Sequence, residues 1–249
     1  MRVFYWRGVM HKIDTVWLFD LDNTLHDASV KIFPQISLNM NEWIALHCGE
    51  NGQVLSSMQA DALRRLFWQR YGATLLGISR IPGKRARSFL KAAHQFDDLS
   101  SMIYAEKRLK NLLMHLPGRK ILLTNSAGDY AQRVLSILGI KRFFERIISI
   151  ETMHLMGRFT PKPSKRFFQH LPVLLNATAS QCILVEDDIR SLKTAKITGM
   201  KTVLVTRYLN RSYQSTHAYA HPQTKNRVGR PSYVDMKVKS ILELLTHAI

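Results

Sequence analysis

The residues that most constrain this chain are Val16-Trp17-Leu18-Phe19 and the Asp20-Leu21-Asp22-Asn23-Thr24 that follows them directly. A short apolar run bounded by polar residues reads as a buried strand. Asp20 and Asp22 then leave its C-terminal end, where open α/β sheets place their ligands. Alternate residues of an extended segment point the same way, so both carboxylates can flank one reacting group. Carboxylates so close call for a cation between them or for strongly perturbed pKa values. Alone, the pattern is also that of an ordinary polar strand exit, so the rest of the chain has to decide.

From Lys120 onward strands and helices alternate. Ile121–Leu123 reads as a strand ending in Thr124-Asn125-Ser126, and Ile147–Ile150 as another. Cys182–Val185 is a third, ending in Glu186-Asp187-Asp188, and Thr202–Val205 a fourth. Between them lie helical segments at Tyr130–Leu138, closed by Gly139, at Ser164–Leu171, opened by Pro163-Ser164, and at Ser191–Thr198, followed by Gly199. Such alternation predicts βαβ units, a parallel sheet and helices on both faces. From Asp27 to Pro117 apolar residues recur at helical spacing, through Ile44-Ala45, Leu63, Leu66-Phe67, Leu75-Leu76, Leu112-Leu113 and Leu116, until Pro117-Gly118 stops the last helix. The expected fold class is therefore α/β, a doubly wound parallel-sheet (Rossmann-like) core with an inserted all-helical cap. The core takes residues 13–26 and 118–249, the cap residues 27–117. Arg207–Arg230, polar and basic, reads as a mobile loop, and Tyr233–Leu245 as a short strand or turn and then a helix.

Composition narrows the classes further. The 249 residues are 46% hydrophobic, enough for a packed core. No apolar stretch approaches a membrane span. Met1–Lys12 lacks a long apolar centre, so no secretory leader is expected there, and Met10 is an alternative start. Cys48 and Cys182, far apart, make no disulfide framework and fit a reducing cytoplasm. The net charge of +18 invites a nucleic-acid reading. Yet the basic residues are scattered and no nucleic-acid-binding signature accompanies them, so a basic surface serving anionic small-molecule substrates is the expectation.

Four elements fall in order: Asp20-x-Asp22-x-Thr24, Thr124-Asn125, Lys162 within Pro161-Lys162-Pro163, and Glu186-Asp187-Asp188. Each alone is bland: a strand-end hydroxyl, a solvated lysine, an acidic turn. Together they resemble the haloacid dehalogenase superfamily of phosphatases with a helical cap inserted after the first motif. Within it, Phe67–Gly77, Leu112–Lys120 and Gly157–Ser164 resemble the pyrimidine 5′-nucleotidase family. The likeness covers roughly Thr15 to Thr206.

The resemblance implies a phosphomonoester hydrolase that works through an aspartyl-phosphate. Asp20 would be the nucleophile, and Asp22 the general acid and then the general base. Transport ATPases that resemble this pattern carry Thr at the position of Asp22. Mg²⁺ would be held by Asp20, Asp187 and the backbone carbonyl of Asp22, with Glu186 ordering a metal-bound water. Thr124 would hydrogen-bond the phosphate, Asn125 would contact substrate, and Lys162 would offset developing charge. Similar sequences carry Asn where Ser191 stands, and Asp187 fits the metal better than Asp188. In the cap, Arg70, Tyr71 and Trp68 are candidates for a base or sugar, although aromatic residues there also serve a cap core. The histidines show no metal-ligand spacing. The expected substrate is a pyrimidine nucleoside monophosphate. Phosphoglycolate, a sugar phosphate, or a non-enzymatic nucleic-acid-binding role on this scaffold are the alternatives; a dehalogenase, which does not use Asp22 or the metal site, is disfavoured.

Overall fold

The computed structural model describes residues 15–83, 86–209 and 230–246. Its centre is β1 (Val16–Phe19), buried along its whole length. After it come α1 (Ile32–His47), α2 (Ser57–Tyr71), α3 (Thr74–Ile78), α4 (Ala86–Ala93) and α5 (Leu109–His115). The alternating region follows: β2 (Arg119–Leu123), α6 (Gly128–Ile137), β3 (Arg146–Ile148), the small hairpin β4 (His154–Leu155) and β5 (Arg158–Phe159), α7 (Lys165–Leu174), β6 (Cys182–Glu186), α8 (Ile189–Ile197), β7 (Lys201–Val205) and β8 (Met236–Val238).

Six strands form one parallel sheet in the order β3-β2-β1-β6-β7-β8. The chain builds outward from β1 to β3, then returns to the other side of β1 with β6. The order therefore reverses beside β1, and a crevice opens at the strands' C-terminal ends. Alternation along β1 separates two apolar layers. Trp17 and Phe19 join a cluster with Tyr130 and Val134 of α6 and with the helices before β2. Val16 and Leu18 face the other way, onto Phe168 and Leu171 of α7 and Leu192 and Ala195 of α8.

The helices between β1 and β2 pack mainly on one another, α1 against both α2 and α4. Trp43 meets Phe89 edge-on at 5.2 Å between ring centroids. The start of α2 is fixed by a capping box of Ser56 and Gln59, and its end by Gly72 in the left-handed conformation. α5 instead packs on the 3₁₀ turn Ile241–Leu245, where the Ser240 hydroxyl donates to Glu106 at 2.7 Å.

Several elements differ from the expectation. The strand expected at Ile147–Ile150 ends at Ile148, because Ser149 and Thr152 cap a 3₁₀ turn there. α7 continues through Pro172 to Leu174, a proline near a helix end forfeiting a single backbone bond. The β4–β5 hairpin was not anticipated. Its strands of two residues are too short to show alternation, and its turn, Met156-Gly157, has positive φ at both positions. The last segment is a strand and a 3₁₀ turn rather than an α-helix. The N-terminal arm and most of the basic segment, residues 210–229, lie outside the described residues. Among the described residues no helix is long and apolar enough to cross a membrane.

Gly118 turns the chain into β2 at φ +99°, and a Cβ there would lie 2.5 Å from the Thr15 carbonyl oxygen. That oxygen accepts the Arg119 N–H at 2.9 Å. Gly118→Ala is expected to cost about 1–3 kcal/mol, the scale of backbone strain at such positions, read as a lower urea midpoint. An unchanged midpoint would show that the turn relaxes freely.

Candidate active site

The parallel register sets the first pair of groups side by side. Phe19 is level with Val185, and the Asp20 N–H donates to the Val185 carbonyl at 3.0 Å, so Asp20 emerges beside Glu186. Lys162 arrives from the segment between β5 and α7. Its Nζ donates to Asp20 Oδ1 at 2.8 Å and to Glu186 Oε2 at 2.6 Å, with only 3% of the side chain exposed. Asn125, just past β2, aims the lysine: its Nδ2 donates to the Lys162 carbonyl at 2.9 Å, and its Oδ1 accepts the Lys162 N–H at 3.0 Å. Asn125 thus positions Lys162 in addition to lining the cleft. Carboxylate oxygens of Asp20, Glu186 and Asp187 lie within 4.8 Å of one another.

One lysine does not balance three carboxylates. Burial, and next to it the charge of Glu186, push the Asp20 carboxyl up to about 8. Asp187 is raised well above its usual value by burial and then by Glu186 and Asp20. Burial works against the Lys162 charge, but Asp20 and Glu186 outweigh it and hold the ammonium above its ordinary value. The site is short of positive charge and offers only carboxylate oxygens, a donor set that fits Mg²⁺. Glu186 already spends Oε2 on Lys162 and accepts the Asp188 N–H through Oε1 at 3.3 Å. Asp20 and Asp187 are therefore the side chains best placed to hold the ion.

Asp22 is buried in a different setting. Its Oδ1 accepts from Tyr130 Oη at 2.6 Å and contacts His26 Nε2 at 2.9 Å, and its Oδ2 accepts from Ser126 Oγ at 2.5 Å. Burial alone would raise this carboxyl, yet hydrogen bonds from His26, Ser126 and Tyr130 hold it below its usual value. Two aspartates two residues apart are thus driven in opposite directions, Asp22 toward its carboxylate and Asp20, buried beside Glu186, toward its acid form. His26, Ser126 and Tyr130 were not singled out from the sequence. The only local signal was the four-residue step from Asp22 to His26.

Thr124 is buried, and its hydroxyl oxygen accepts the Ser126 N–H at 3.0 Å, which leaves the O–H free to donate. Asp188 caps α8 and takes two guanidinium bonds from Arg190 at 3.1 and 3.2 Å, so its oxygens are already engaged. Ser191 Oγ lies 3.4 Å from Asp188 Oδ2, on the capping residue rather than on the acidic cluster.

A cavity of about 210 Å³ runs from these groups into the helices before β2. Its polar floor holds Asp20, Asp22, Thr124, Asn125, Lys162 and Asp187, and its opposite wall is apolar, with Phe33, Ile36, Met40, Trp68, Leu75, Phe89 and Leu90. Of the three cap candidates Trp68 lines the cavity, although a place in the cap core was the first expectation for it, whereas Arg70 and Tyr71 do not line it. At about 100° per residue, Arg70 lies on the far side of α2 from Trp68 and is exposed. Tyr71 packs between Arg80, 4.7 Å over its ring, and Arg70, at 5.6 Å. The cation near Trp68 is instead Arg190 of the core, its guanidinium carbon 5.9 Å from the ring centroid.

The acidic cluster makes a testable signature. Asp20 and Asp187 bind protons more readily folded than unfolded, so without metal stability falls as pH rises toward about 8. His94, lowered by burial, acts oppositely but only below its ordinary 6.5, and lowered Asp22 acts below 3.8. Thermal melts in chelator should therefore show the melting temperature falling between pH 6.5 and 8. Mg²⁺ should restore it at pH 8, and Asp20→Asn should flatten the slope. A melting temperature indifferent to Mg²⁺ at pH 8 would remove the metal assignment.

Comparison with known proteins agrees with this geometry. Residues 17–205 match the haloacid dehalogenase-like hydrolase family. Phosphate metabolism protein 8 of Saccharomyces cerevisiae is 25% identical over 201 residues, covering 76% of this chain and 60% of its own length. The chain thus spans about 60% of that relative's length. Among solved structures, a haloacid dehalogenase-like hydrolase from Bacteroides fragilis superposes with a TM-score of 0.56 at 18% identity, over 92% of this chain and 99% of its own. The L-2-haloacid dehalogenase of Xanthobacter autotrophicus, with chloropropionic acid covalently bound, gives 0.53 at 17% identity, over 93% and 96%. These likenesses concern the fold. With the family match spanning most of its length, the chain belongs to the haloacid dehalogenase-like hydrolases.

Proposed function

We propose that the protein hydrolyses small phosphomonoesters with Mg²⁺, through a phosphoryl group carried on Asp20, and that pyrimidine nucleoside 5′-monophosphates are its substrates. The observation that carries the reading is the Asp20–Lys162–Asp187 constellation with Asp22 two residues beyond the nucleophile. A dehalogenating carboxylate needs neither a cation nor a second acid, and this cleft has a carboxylate cluster able to take a cation and a further aspartate beside the same cavity. The yeast relative's name places that protein in phosphate metabolism, which accords with a phosphate ester.

In this mechanism an Asp20 carboxylate oxygen attacks phosphorus as the bond to the leaving oxygen breaks, and the Asp22 carboxyl gives that oxygen its proton. Water then attacks the aspartyl-phosphate, Asp22 takes up the water's proton, and the Asp20–phosphate bond breaks to release phosphate. Bound Mg²⁺ would be held by Asp20, Asp187 and the Asp22 carbonyl, and would supply charge neutralisation between carboxylate and phosphate. Lys162 offsets negative charge on the nucleophile's side, and the Thr124 hydroxyl donates to a phosphate oxygen. The network around Asp22 favours its carboxylate, the form that takes up the water's proton, so the protonated form that serves the leaving oxygen is the less populated one. With donors on both oxygens it is ready as the base; once protonated, it can donate to the Ser126 or Tyr130 hydroxyl, since a hydroxyl both gives and accepts. The apolar wall with Trp68 offers a flat base a place to stack, and it supports a nucleotide over a compact polar ester such as phosphoglycolate.

The test is phosphate release from UMP, CMP, dTMP, AMP, GMP, phosphoglycolate and glucose phosphates, with Mg²⁺ and with chelator. Metal-dependent preference for the pyrimidine nucleotides is expected; equal rates across the panel would discard the substrate claim. Asp20→Asn should lower kcat by at least about 10³-fold, the scale of nucleophile deletions. Asp22→Asn should lower it by about 10²–10⁴-fold, the worth of a general acid–base group. Undiminished turnover in Asp20→Asn would sink the mechanism.

A further inference from the structure

We infer that His94 is the specificity-determining residue of this cavity: its Nε2 accepts a hydrogen bond from a hydroxyl or N–H of the leaving group. The inference rests on the phosphatase reading above and names the class of ester that the site takes.

His94 directly follows the last residue of α4, is 8% exposed and lines the cavity. Its Nδ1 lies 3.0 Å from the Leu90 carbonyl oxygen. A carbonyl only accepts, so Nδ1 carries the proton and donates. Burial favours the uncharged ring. In a neutral imidazole protonated at Nδ1, Nε2 is a lone-pair acceptor, and it points away from the helix backbone that Nδ1 engages. Among the described residues nothing bonds to it.

The ring's position ties it to the chemistry. Its centroid is 5.2 Å from that of Tyr130, whose hydroxyl donates to Asp22 at 2.6 Å. The His94 ring thus lies one aromatic ring removed from the proposed acid. The cap side of the cavity also carries Phe33, Met40, Phe89 and Leu90, which cannot donate. A leaving group that displaces water from Nε2 without supplying a donor leaves a buried acceptor unpaired, and sites built this way discriminate strongly. A carboxylate at the same place would meet a lone pair and an apolar wall. The class is thus an uncharged, flat leaving group bearing a donor, which a nucleoside satisfies and phosphoglycolate does not.

The experiment measures kcat/KM of the full chain with Mg²⁺ for UMP, for its N3-methyl, 2′-deoxy and 3′-deoxy analogues, and for 4-nitrophenyl phosphate. Wild type, His94→Leu and His94→Gln are compared; Gln keeps an acceptor oxygen near the place of Nε2. At least one donor-deleted analogue should fall about tenfold or more below UMP in the wild type, mainly through KM. His94→Leu should erase that difference and His94→Gln should restore most of it. If all three analogues stay within tenfold of UMP in the wild type, the inference is overturned whether or not the variants fold. A penalty that survives in His94→Leu overturns it as well. Either result with 4-nitrophenyl phosphate still hydrolysed leaves the phosphatase reading standing, whereas no phosphate release from any ester removes that reading and the inference with it.

Discussion

Much of this site depends on one electrostatic imbalance: three carboxylates held within 4.8 Å by the ends of two adjacent parallel strands, answered by a single buried lysine. The crowding follows from register. Once Phe19 is level with Val185, Asp20 and Glu186 emerge side by side, and Asp187 follows one residue later. Like charges this close are tolerable when the site is built to receive positive charge. Lys162 supplies part of it, and its own position is fixed by Asn125 bonding both its N–H and its carbonyl. The second strand's loop therefore aims a residue 37 positions away at the first strand's carboxylate. Local chain geometry and site electrostatics are here one arrangement.

The second organising feature is the division of labour between floor and wall. Everything charged in the cavity comes from the sheet's C-terminal edge and the segments beside it, while the helices after β1 contribute a mainly apolar face with two polar exceptions, Thr74 and His94. Arg190, anchored by Asp188, lies near Trp68 and joins the two sides at the rim. Chemistry that needs strong fields gains from such a wall, because charges act over longer range where water is excluded.

The sheet and the juxtaposition of the motif residues at its edge were legible in the sequence because each signal was local and periodic. Val16–Phe19, Ile121–Leu123, Cys182–Val185 and Thr202–Val205 are buried parallel strands, which read as unbroken apolar runs. The polar residues at their ends then fall together by topology, so the order of the motifs already carried their juxtaposition. What stayed hidden depends on tertiary contacts. Nothing in the spacing of Tyr130 or Ser126 shows that they close on a carboxylate more than 100 residues earlier. Arg70 and Tyr71 lie off the cavity for a related reason: a motif marks a stretch of helix but not its inward face, which only packing selects. Likewise β4–β5 is too short for a pattern, and its turn declares itself only through backbone angles.

Likeness of fold does not decide between the reactions this scaffold can host. A superposition with an L-2-haloacid dehalogenase at 17% identity says that both chains wind the same sheet, and a nucleophilic carboxylate at the end of the first strand would serve either chemistry. The distinction has to come from what surrounds that carboxylate. Displacing a halide requires no proton for the leaving group. An alkoxide leaving group does require one, and releasing phosphate from the enzyme afterwards requires a base for water. The Asp22 carboxylate, held by Ser126, Tyr130 and His26, is placed to take the water's proton, and the reading proposed above asks it to carry the leaving group's proton as well. An acid–base group so surrounded would be idle in a dehalogenase, and the carboxylates of Asp187 and Glu186 would only oppose the approach of an anionic substrate. The same residues become useful together when the substrate is a phosphate ester brought in with a divalent cation, which is why the cleft, more than the fold, argues for phosphoryl chemistry.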